Sequence, residues 1–198
     1  TGTRLATPMK HFTEMTDFEE LMAAWDVTVR EFQRHCVILD SACDTALEEN
    51  VADILCSTLV EDCLDRGKPI KEGGAVYDFI SGLQVGIANL GDSLAAIRKR
   101  VFEEKSITAA ELWDALRNDF AGERGAQIQA LLADAPKYGN DDDEVDQLLV
   151  RAYESCIDEI FAHHNTRYGR GPIGGGYYAG TSSISANVPQ GASTMATP

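Results

Sequence analysis

PKYGNDDDEVDQLL, residues 136–149, places four acidic residues side by side directly after a turn-like Lys-Tyr-Gly-Asn segment. Four adjacent carboxylates repel one another, so the run at Asp141–Glu144 needs a physical reason. It occupies the first turn of a predicted helix, where backbone N–H groups are unpaired and the helix dipole favours negative charge. This accounts for one or two of the acids and leaves three interpretations open: metal ligands, a solvated helix start or a family signature. The helix is predicted by Val145, Leu148, Leu149, Ala152, Cys156 and Ile160.

The composition excludes two classes of function. The chain has 198 residues, 44% of them hydrophobic and 25% charged, which suits one domain with a core or a piece of a larger one. Its net charge of −15 repels nucleic acid phosphates and anionic membranes, so we set both partners aside. No apolar run approaches the roughly 20 residues that span a bilayer. The first residues lack a signal pattern and an initiator Met, so we expect the chain to begin inside a longer reading frame.

Five cysteines are spread along the chain without a Cys-x-x-Cys pair, which leaves local zinc or iron–sulfur ligation unsupported. An odd count in a chain of this size suits a reducing cytosol better than a disulfide framework. We therefore interpret the cysteines as buried core residues, including the two that lie seven apart on one helical stripe. They are Cys36, Cys43, Cys56, Cys63 and Cys156.

The first helix is predicted to begin at Thr16, which with Glu19 matches a capping box. Apolar residues then recur at spacings of three, four or seven for about eight turns, which is long for a helix of a small domain. Such a helix needs a large partner to pack against. Its stripe comprises Phe18, Leu21, Trp25, Phe32, Cys36, Leu39, Cys43 and Ala46.

The rest of the chain reads as shorter elements. A glycine-rich stretch at 71–93 predicts extended segments and tight loops. Asp92 is predicted to cap a helix, and Thr108 with Glu111 forms a second capping box. Residues 167–198 turn sharply to Gly and Ser, which is typical either of a disordered tail or of a short buried strand between two Gly-rich loops.

Two short motifs suggest chemistry that their context does not support. The glycines of 169–174 have the dinucleotide-binding spacing, but that motif needs a strand before it, and here a helix precedes it. Gly91–Leu94 spells the Gly-Asp-Ser-Leu nucleophile block of an esterase family. Ser93 lacks the Asp-x-x-His pair that such a nucleophile needs near the chain's end, so a helix cap at Asp92 is the preferred interpretation.

Two groups of residues resemble metal ligands. Glu159 and His163 lie four apart on one helical face, but no third ligand is near in sequence, and an exposed helix end is the preferred interpretation. The cluster Asp141–Glu144 lacks the alternating oxygen-ligand spacing and the mid-loop Gly of a calcium loop. We therefore predict no bound metal or nucleotide.

Four stretches, in their order and spacing, resemble the glycyl radical enzymes, the family of pyruvate formate-lyase, glycerol and diol dehydratases, choline trimethylamine-lyase and hydroxyproline dehydratase. Residues 136–146, PKYGNDDDEVD, are similar to a signature block of that family. Residues 57–79 look like its block ending in a Gly-Gly-Ala-Arg-Tyr-type turn, with Val76 where Arg is common. Residues 82–105 resemble the next block, including a helix start at Asp92. Residues 182–198 look like a late barrel strand and the loop behind it, which in the family continues into Asp-Gly-Arg, so we expect the chain to be cut inside a motif.

The resemblance covers essentially all 198 residues and implies an α/β fold: a fragment of a ten-stranded α/β barrel made of two half-barrels. Residues 1–198 are then part of a single pyruvate formate-lyase-type barrel domain, in its second half, and supply mostly outer helices with a few buried strands. On this interpretation the acidic cluster is a helix start in a family-typical turn. The large partner of the first helix lies outside the chain.

The resemblance also implies a mechanism. In the family, a C-terminal glycyl radical is made by a radical S-adenosylmethionine activating enzyme with an iron–sulfur cluster, and a mid-barrel cysteine becomes the thiyl radical that abstracts a substrate hydrogen. In the eliminating branch a nearby Glu serves as acid or base while water, an amine or sulfite leaves. None of the five cysteines stands in a Gly-Cys-x-Glu loop. We therefore assign no catalytic residue here and expect the radical Cys and Gly to lie outside the chain.

We expect this chain to supply one wall of a substrate pocket. In a barrel strand alternate residues face inward. By resemblance the strand near the chain's end borders the substrate cavity, and we predict Gly180, Ser182 and Ile184 as pocket residues. The alternative is that Ile184 is plain core and the serines satisfy loop backbone.

The resemblance thus predicts a cytoplasmic, oxygen-free enzyme, homodimeric at full length, that eliminates water, an amine or sulfite from a small polar substrate as a radical dehydratase or C–N or C–S lyase. The first alternative is a formate acetyltransferase of the pyruvate formate-lyase type, which predicts two adjacent cysteines in the missing loop. The second is a non-catalytic acidic helical binding module, which predicts cooperative unfolding of the isolated chain.

Overall fold

The computed structural model describes residues 6–77, 81–84, 86–141, 143–164 and 174–177. These residues are mostly helical. Seven α-helices follow one another, α1 Phe18–Asn50, α2 Ile54–Leu59, α3 Cys63–Arg66, α4 Ile87–Ile97, α5 Ala109–Arg117, α6 Gly122–Ala133 and α7 Asp143–Phe161. A π-helix at Arg98–Glu103 follows α4, short 3-10 helices lie at Phe12–Glu14 and Ile70–Glu72, and the strands are β1 Ser81–Gln84 and β2 Gly174–Tyr177. Within this described part, no helix is long and apolar enough to cross a membrane.

The chain divides into two compact units. The first unit comprises Thr1–Val29, Val85–Ser155 and Tyr178–Pro198, and the second comprises Arg30–Gln84 and Cys156–Tyr177. Helices α1 and α7 each contribute residues to both.

Helix α1 is as long as predicted, but its start is displaced by one residue from the predicted capping box. Asp17 Oδ1 accepts the backbone N–H of Glu20 (2.9 Å), and Glu20 Oε2 accepts the backbone N–H of Thr16 (2.8 Å). The predicted partner, Glu19, instead accepts a hydrogen bond from Arg151 NH1 (2.9 Å) on α7. Glu19 and Glu20 are both spaced correctly to complete a capping box. Because Glu19 is paired with Arg151, Glu20 completes it.

The first unit holds two buried apolar clusters. One surrounds Ile107, Leu112 and Ile128, which are almost fully buried. The capping box predicted at Thr108 and Glu111 is confirmed at the start of α5, which contributes Leu112 to this cluster. The other joins the first turns of α1 to α4 and α7, and Trp25 Nε1 donates to Ala152 O (2.9 Å) beside it. Fully burying each large apolar side chain contributes roughly 1.5–3 kcal/mol. The second cluster comprises Phe18, Met22, Leu94, Ala95, Val145, Leu148 and Ala152.

The second unit contains a parallel pair of strands. β1 pairs with β2 in the register Ser81↔Gly174 through Gln84↔Tyr177. Helices α4 to α7 lie between them in sequence, as parallel pairing requires a long crossover. The sequence left this glycine-rich stretch open between a disordered tail and loops flanking a strand, and neither alternative placed a strand at Gly174–Tyr177. The backbone hydrogen bonds of the ladder form there although the low strand propensity of glycine argues against them. The strand predicted around Ile184 lies outside the described residues.

The buried-core interpretation of the cysteines holds for only two of them. Cys63 and Cys156 are buried, as predicted. Cys36, Cys43 and Cys56 are exposed, so for them the prediction is wrong. Cys36 and Cys43 are exposed because the apolar stripe of α1 faces solvent along the second unit, and Cys56 is exposed on the short helix α2.

Candidate functional site

The structure brings two of the family-like sequence blocks together at Asp92. The predicted helix start at this residue is wrong, because α4 begins five residues earlier, after Gly86 in a left-handed conformation (φ 81°). Asp92 is therefore in mid-helix, where it is only 4% exposed. Its Oδ1 accepts the backbone N–H of Tyr138 at 2.6 Å. Asp92 caps a turn 46 residues away instead of its own helix.

The turn that precedes the acidic run is held from two sides. Lys137 Nζ donates to Leu132 O (3.0 Å) and Ala135 O (2.8 Å) at the end of α6. Burial raises the pKa of Asp92, against the hydrogen bond from Tyr138 and the charge of Lys137. Burial also lowers the pKa of Lys137, against the charge of Asp92. A buried carboxylate that accepts a backbone N–H orders the loop to which that N–H belongs. Because Asp92 is engaged in this way, it does not serve as a base for Ser93.

The helix start predicted for the acidic cluster is confirmed for Asp143 and Glu144, and Asp142 lies outside the described residues. α7 begins at Asp143, and Asp143, Glu144 and Asp146 lie in its first turn. Asp141 precedes it with φ 58°, a left-handed conformation that Asp tolerates. Across the described ranges of the chain, no group of three or more His, Cys, Asp or Glu residues gathers as a metal site.

A surface hollow of about 380 Å³ lies beside this helix start. Two arginines line it together with acids of the first turn, so the hollow has no single sign of charge. Arg98 Nε donates to Glu103 Oε1 (2.7 Å), and Arg151 is engaged with Glu19. Both guanidinium groups are neutralised locally, which argues against a site for an anionic ligand. The lining residues are Arg98, Asp143, Glu144, Gln147, Leu148 and Arg151.

A second cluster of charges lies in the second unit around Glu159, which is 7% exposed. Arg34 donates to both carboxylate oxygens, from Nε to Oε1 (2.8 Å) and from NH2 to Oε2 (2.9 Å), and His163 Nε2 lies 3.0 Å from Oε1. Burial alone would raise the pKa of Glu159, but these hydrogen bonds outweigh it and hold the pKa below its ordinary value. The exposed helix end predicted for this pair is therefore wrong for Glu159, whereas His163 lies half-buried just past the end of α7. The Glu159 carboxylate is committed to an ion pair with Arg34, a residue to which no sequence pattern pointed.

All five cysteines lie on helices: Cys36 and Cys43 on α1, Cys56 on α2, Cys63 on α3 and Cys156 on α7. That the radical cysteine lies outside the chain stays a prediction. Cys156 Sγ accepts a hydrogen bond from Gln33 Nε2 at 2.8 Å. The predicted pocket residues Gly180, Ser182 and Ile184 lie outside the described residues.

Comparison with known proteins agrees with the resemblance described for the sequence. The family model described as pyruvate formate lyase-like matches residues 1–191. The chain is 61% identical over 183 residues, 92% of its length, to the "Probable dehydratase YbiW" of Escherichia coli (strain K12). It is similar to the glycerol-bound B12-independent glycerol dehydratase from Clostridium butyricum (39% identity, TM-score 0.76, 90% of this chain and 22% of that one). It is also similar to a structure concerned with 1,2-propanediol dehydration in Roseburia inulinivorans (37% identity, TM-score 0.80, 98% and 24%).

The chain spans about a quarter of the length of these relatives, 23% in the case of the Escherichia coli protein. The solved structures match 90% and 98% of the chain, so the chain is a fragment of the barrel fold that these enzymes share. The match of residues 1–191 and the identity to the dehydratase together identify the chain as a member of the pyruvate formate lyase-like family, the glycyl radical enzymes.

Proposed function

We propose that residues 1–198 belong to a longer glycyl radical enzyme that eliminates water from a small polar substrate. The identity of 61% to a probable dehydratase carries this proposal. Two similar structures concern the dehydration of glycerol and of 1,2-propanediol, which makes a vicinal diol the first substrate class to test. C–N and C–S lyase reactions belong to the same eliminating class, and a sulfite-lyase is among the relatives at 35% identity.

Within that enzyme the chain is part of a single ten-stranded barrel domain, in its second half. It contributes mostly outer helices and a few strands, of which β1 and β2 are two. The stretch that follows β2 carries Gly180, Ser182 and Ile184, which we propose as one wall of the substrate pocket because a barrel strand turns alternate residues inward.

The radical residues belong to other parts of the longer protein. The proposal includes a glycyl radical there, a radical S-adenosylmethionine activating enzyme as its partner, a homodimeric full-length enzyme and a cytoplasmic setting without oxygen. The glycyl radical would take the hydrogen atom of a cysteine thiol elsewhere in that protein, and the cysteine would then abstract a hydrogen from the substrate. The helices of this chain form part of the barrel that encloses the radical. The proposal includes no bound metal or nucleotide.

The acyl-transferring alternative is less favoured, because similar proteins include dehydratases, decarboxylases and a sulfite-lyase. The independent binding module is disfavoured by the many large apolar side chains that the second unit exposes.

The test uses the full-length protein with its activating enzyme under anaerobic conditions. We expect a glycyl radical signal in the electron paramagnetic resonance spectrum, and an aldehyde product when glycerol or 1,2-propanediol is added. Omitting S-adenosylmethionine is the control and is expected to abolish both. A radical signal without turnover of either diol would move the proposal to another eliminated group, and the absence of any radical would overturn it.

A further inference from the structure

The helix that carries Asp92 becomes wider shortly after that residue. α4 ends at Ile97, and the next six residues, Arg98–Glu103, form a π-helix. The wide turn is visible in the backbone bond from Glu104 N–H to Lys99 O (2.8 Å), which reaches back five residues instead of four. π-helical turns are rare and often lie at functional sites, so this one needs a physical reason.

Arg100 lies within the π-helix and is only 8% exposed. Its Nε donates to Leu131 O (3.0 Å), and its NH2 donates to Asp134 Oδ2 (3.0 Å). Its NH1 donates to Glu104 Oε2 (2.6 Å). A buried guanidinium is costly unless its N–H groups find acceptors. Two of the acceptors found here belong to the carboxyl end of α6, so Arg100 binds the place where the chain leaves that helix.

Asp92 binds the opposite end of the same stretch, through the backbone N–H of Tyr138. The connection, defined as residues 131–138, is therefore held at each end by a buried charged side chain of one continuous helical segment. Burial and the charge of Arg100 lower the pKa of Lys137 within the connection, and the charge of Asp92 opposes them. The charged groups thus lie close enough to act on one another.

The spacing of Asp92 and Arg100 explains the π-helix. The two residues are eight positions apart (100 − 92). Eight residues of uninterrupted α-helix turn by about 800°, which would leave the side chains about 80° apart around the axis. Seven residues turn by about 700°, only about 20° short of two full turns. A π-helical turn takes up one additional residue, so it places Arg100 near the angle of a residue seven positions after Asp92.

We propose that the π-helix is a register device, which turns Arg100 onto the face of Asp92 so that the two residues clamp the connection between α6 and α7. The clamp fixes the turn that leads into the acidic first turn of α7. It also joins the two family-like sequence blocks, because Asp92 and Arg100 lie in residues 82–105 and Tyr138 lies in residues 136–146. The inference goes beyond the proposed function and does not depend on the radical chemistry.

The test is hydrogen exchange of the folded full-length protein, measured by mass spectrometry on peptides of the connection. Arg100→Met keeps an apolar stem and removes all the donors. We expect the amide of Tyr138 to exchange about tenfold or more faster, although Tyr138 does not touch Arg100, because the connection opens only when both of its ends are released. Amides of α5 are expected to exchange as in the parent protein.

Arg124→Met is the matched control. Arg124 is also an arginine of the first unit that binds a carboxylate, but its NH2 donates to Glu111 Oε1 on α5 (2.7 Å) and not to the connection. We expect this change to leave the exchange of Tyr138 unaltered. An equal acceleration in both variants would show a general loss of stability and would overturn the clamp.

Arg100→Lys keeps the positive charge and gives up the planar fork that reaches several acceptors at once. We expect an intermediate acceleration at Tyr138, and this variant decides the matter if Arg100→Met does not fold. Faster exchange at the end of α6 with an unchanged Tyr138 amide would show that Arg100 only caps α6, and would overturn the clamp.

Deletion of Lys99 tests the register itself. It leaves Arg100 seven positions after Asp92, where a regular α-helix brings both side chains to one face. We expect the deletion variant to fold and to protect the Tyr138 amide as the parent protein does. An acceleration like that of Arg100→Met, or a failure to fold, would contradict the register device. Because no readout involves turnover or the radical signal, failure of the clamp and failure of the proposed function are separable.

Discussion

At the scale of single residues, Asp92 shows how a buried carboxylate orders a distant turn. Asp92→Ala leaves the backbone N–H of Tyr138 without its acceptor, and the loss of a hydrogen bond to a charged group costs about 1.5–3 kcal/mol. We expect the Tyr138 amide of the full-length protein to exchange with solvent at least about tenfold faster, measured by hydrogen exchange and mass spectrometry. Unchanged exchange would show that the bond does not hold the turn.

Asp92→Asn is the informative companion, because it keeps the Oδ1 acceptor and removes the charge. Burial raises the pKa of Asp92 above its ordinary 3.8. The stability that this carboxyl contributes is therefore full below pH 3.8 and is lost as the pH rises through the raised value. We expect Asp92→Asn to unfold at a higher temperature than the parent at pH 7, and the difference to shrink at low pH. A loss of stability at pH 7 would contradict this assignment.

Glu159 has the opposite dependence on pH. Its pKa lies below the ordinary 4.5, so its contribution is present above pH 4.5 and is lost as the pH falls through the lowered value. Glu159→Gln is expected to reduce the free energy of unfolding at pH 7 by about 1–3 kcal/mol, a moderate figure because the side chain of Arg34 is 56% exposed.

The matched control for this change is Glu154→Gln, which alters an exposed Glu on the same helix and is expected to have no effect. Denaturant unfolding of the full-length protein at pH 7 and near pH 3 is the measurement. The Glu159→Gln difference is expected to diminish at the lower pH, and a constant difference would rule out a role for the charge.

At the scale of elements, the contact between α4 and α7 depends on a glycine. A Cβ added at Gly91 would lie 3.0 Å from Leu149 Cβ, closer than two packed side chains normally approach. We expect Gly91→Val to destabilise the protein by about 1–3 kcal/mol through overpacking. Adding Leu149→Ala is expected to recover part of that loss, because it removes Cδ1 and Cγ, which lie 3.3 and 3.5 Å from the added Cβ, and leaves only the Cβ contact. Simple additivity of the two changes in denaturant unfolding would show that they do not meet.

Element boundaries show what a sequence can and cannot predict. The capping box at Thr108 was predicted correctly, because all of its bonds are local. The start of α1 was misplaced by one residue because an ion pair to Arg151, 132 positions away, engages Glu19. The start of α4 was misplaced because Asp92, a good cap by type, is held instead by a contact across 46 residues. Local chemistry is readable from sequence, whereas the choice between equivalent local partners is made by tertiary contacts.

At the scale of the whole chain, periodicity identified the apolar stripe of α1 but not its surroundings. Its first members, such as Phe18, are packed in the first unit, and its later members, such as Leu39, are exposed. Amphipathic spacing tells which residues share a face. What covers that face is set by the rest of the protein. Of the candidate site, the pocket residues stay a prediction. Asp92 and Glu159 were noticed in the sequence, but their partners Tyr138 and Arg34 emerged only from the structure, because they lie 46 and 125 positions away.

The isolated chain is expected to be unevenly stable. The first unit carries both apolar clusters. The second unit exposes the aliphatic side chains of α2 and α3 and the later part of the apolar stripe of α1, which comprises Phe32, Cys36, Leu39, Cys43 and Ala46. In hydrogen exchange of residues 1–198 prepared alone, we expect amides of α5 and α6 to be protected and those of α2, α3 and the second half of α1 to exchange rapidly.

The same preparation is expected to bind a hydrophobic dye and to self-associate, because its uncovered apolar surface has lost the contacts that a longer protein supplies. The full-length protein is the control, and in it the same segments are expected to become protected and the dye signal to disappear. A monomeric isolated chain that binds no dye and unfolds in one cooperative step would contradict this prediction and would restore the independent binding module. Protection confined to α5 and α6, with dye binding, would tie the stability of the second unit to contacts that residues 1–198 do not contain.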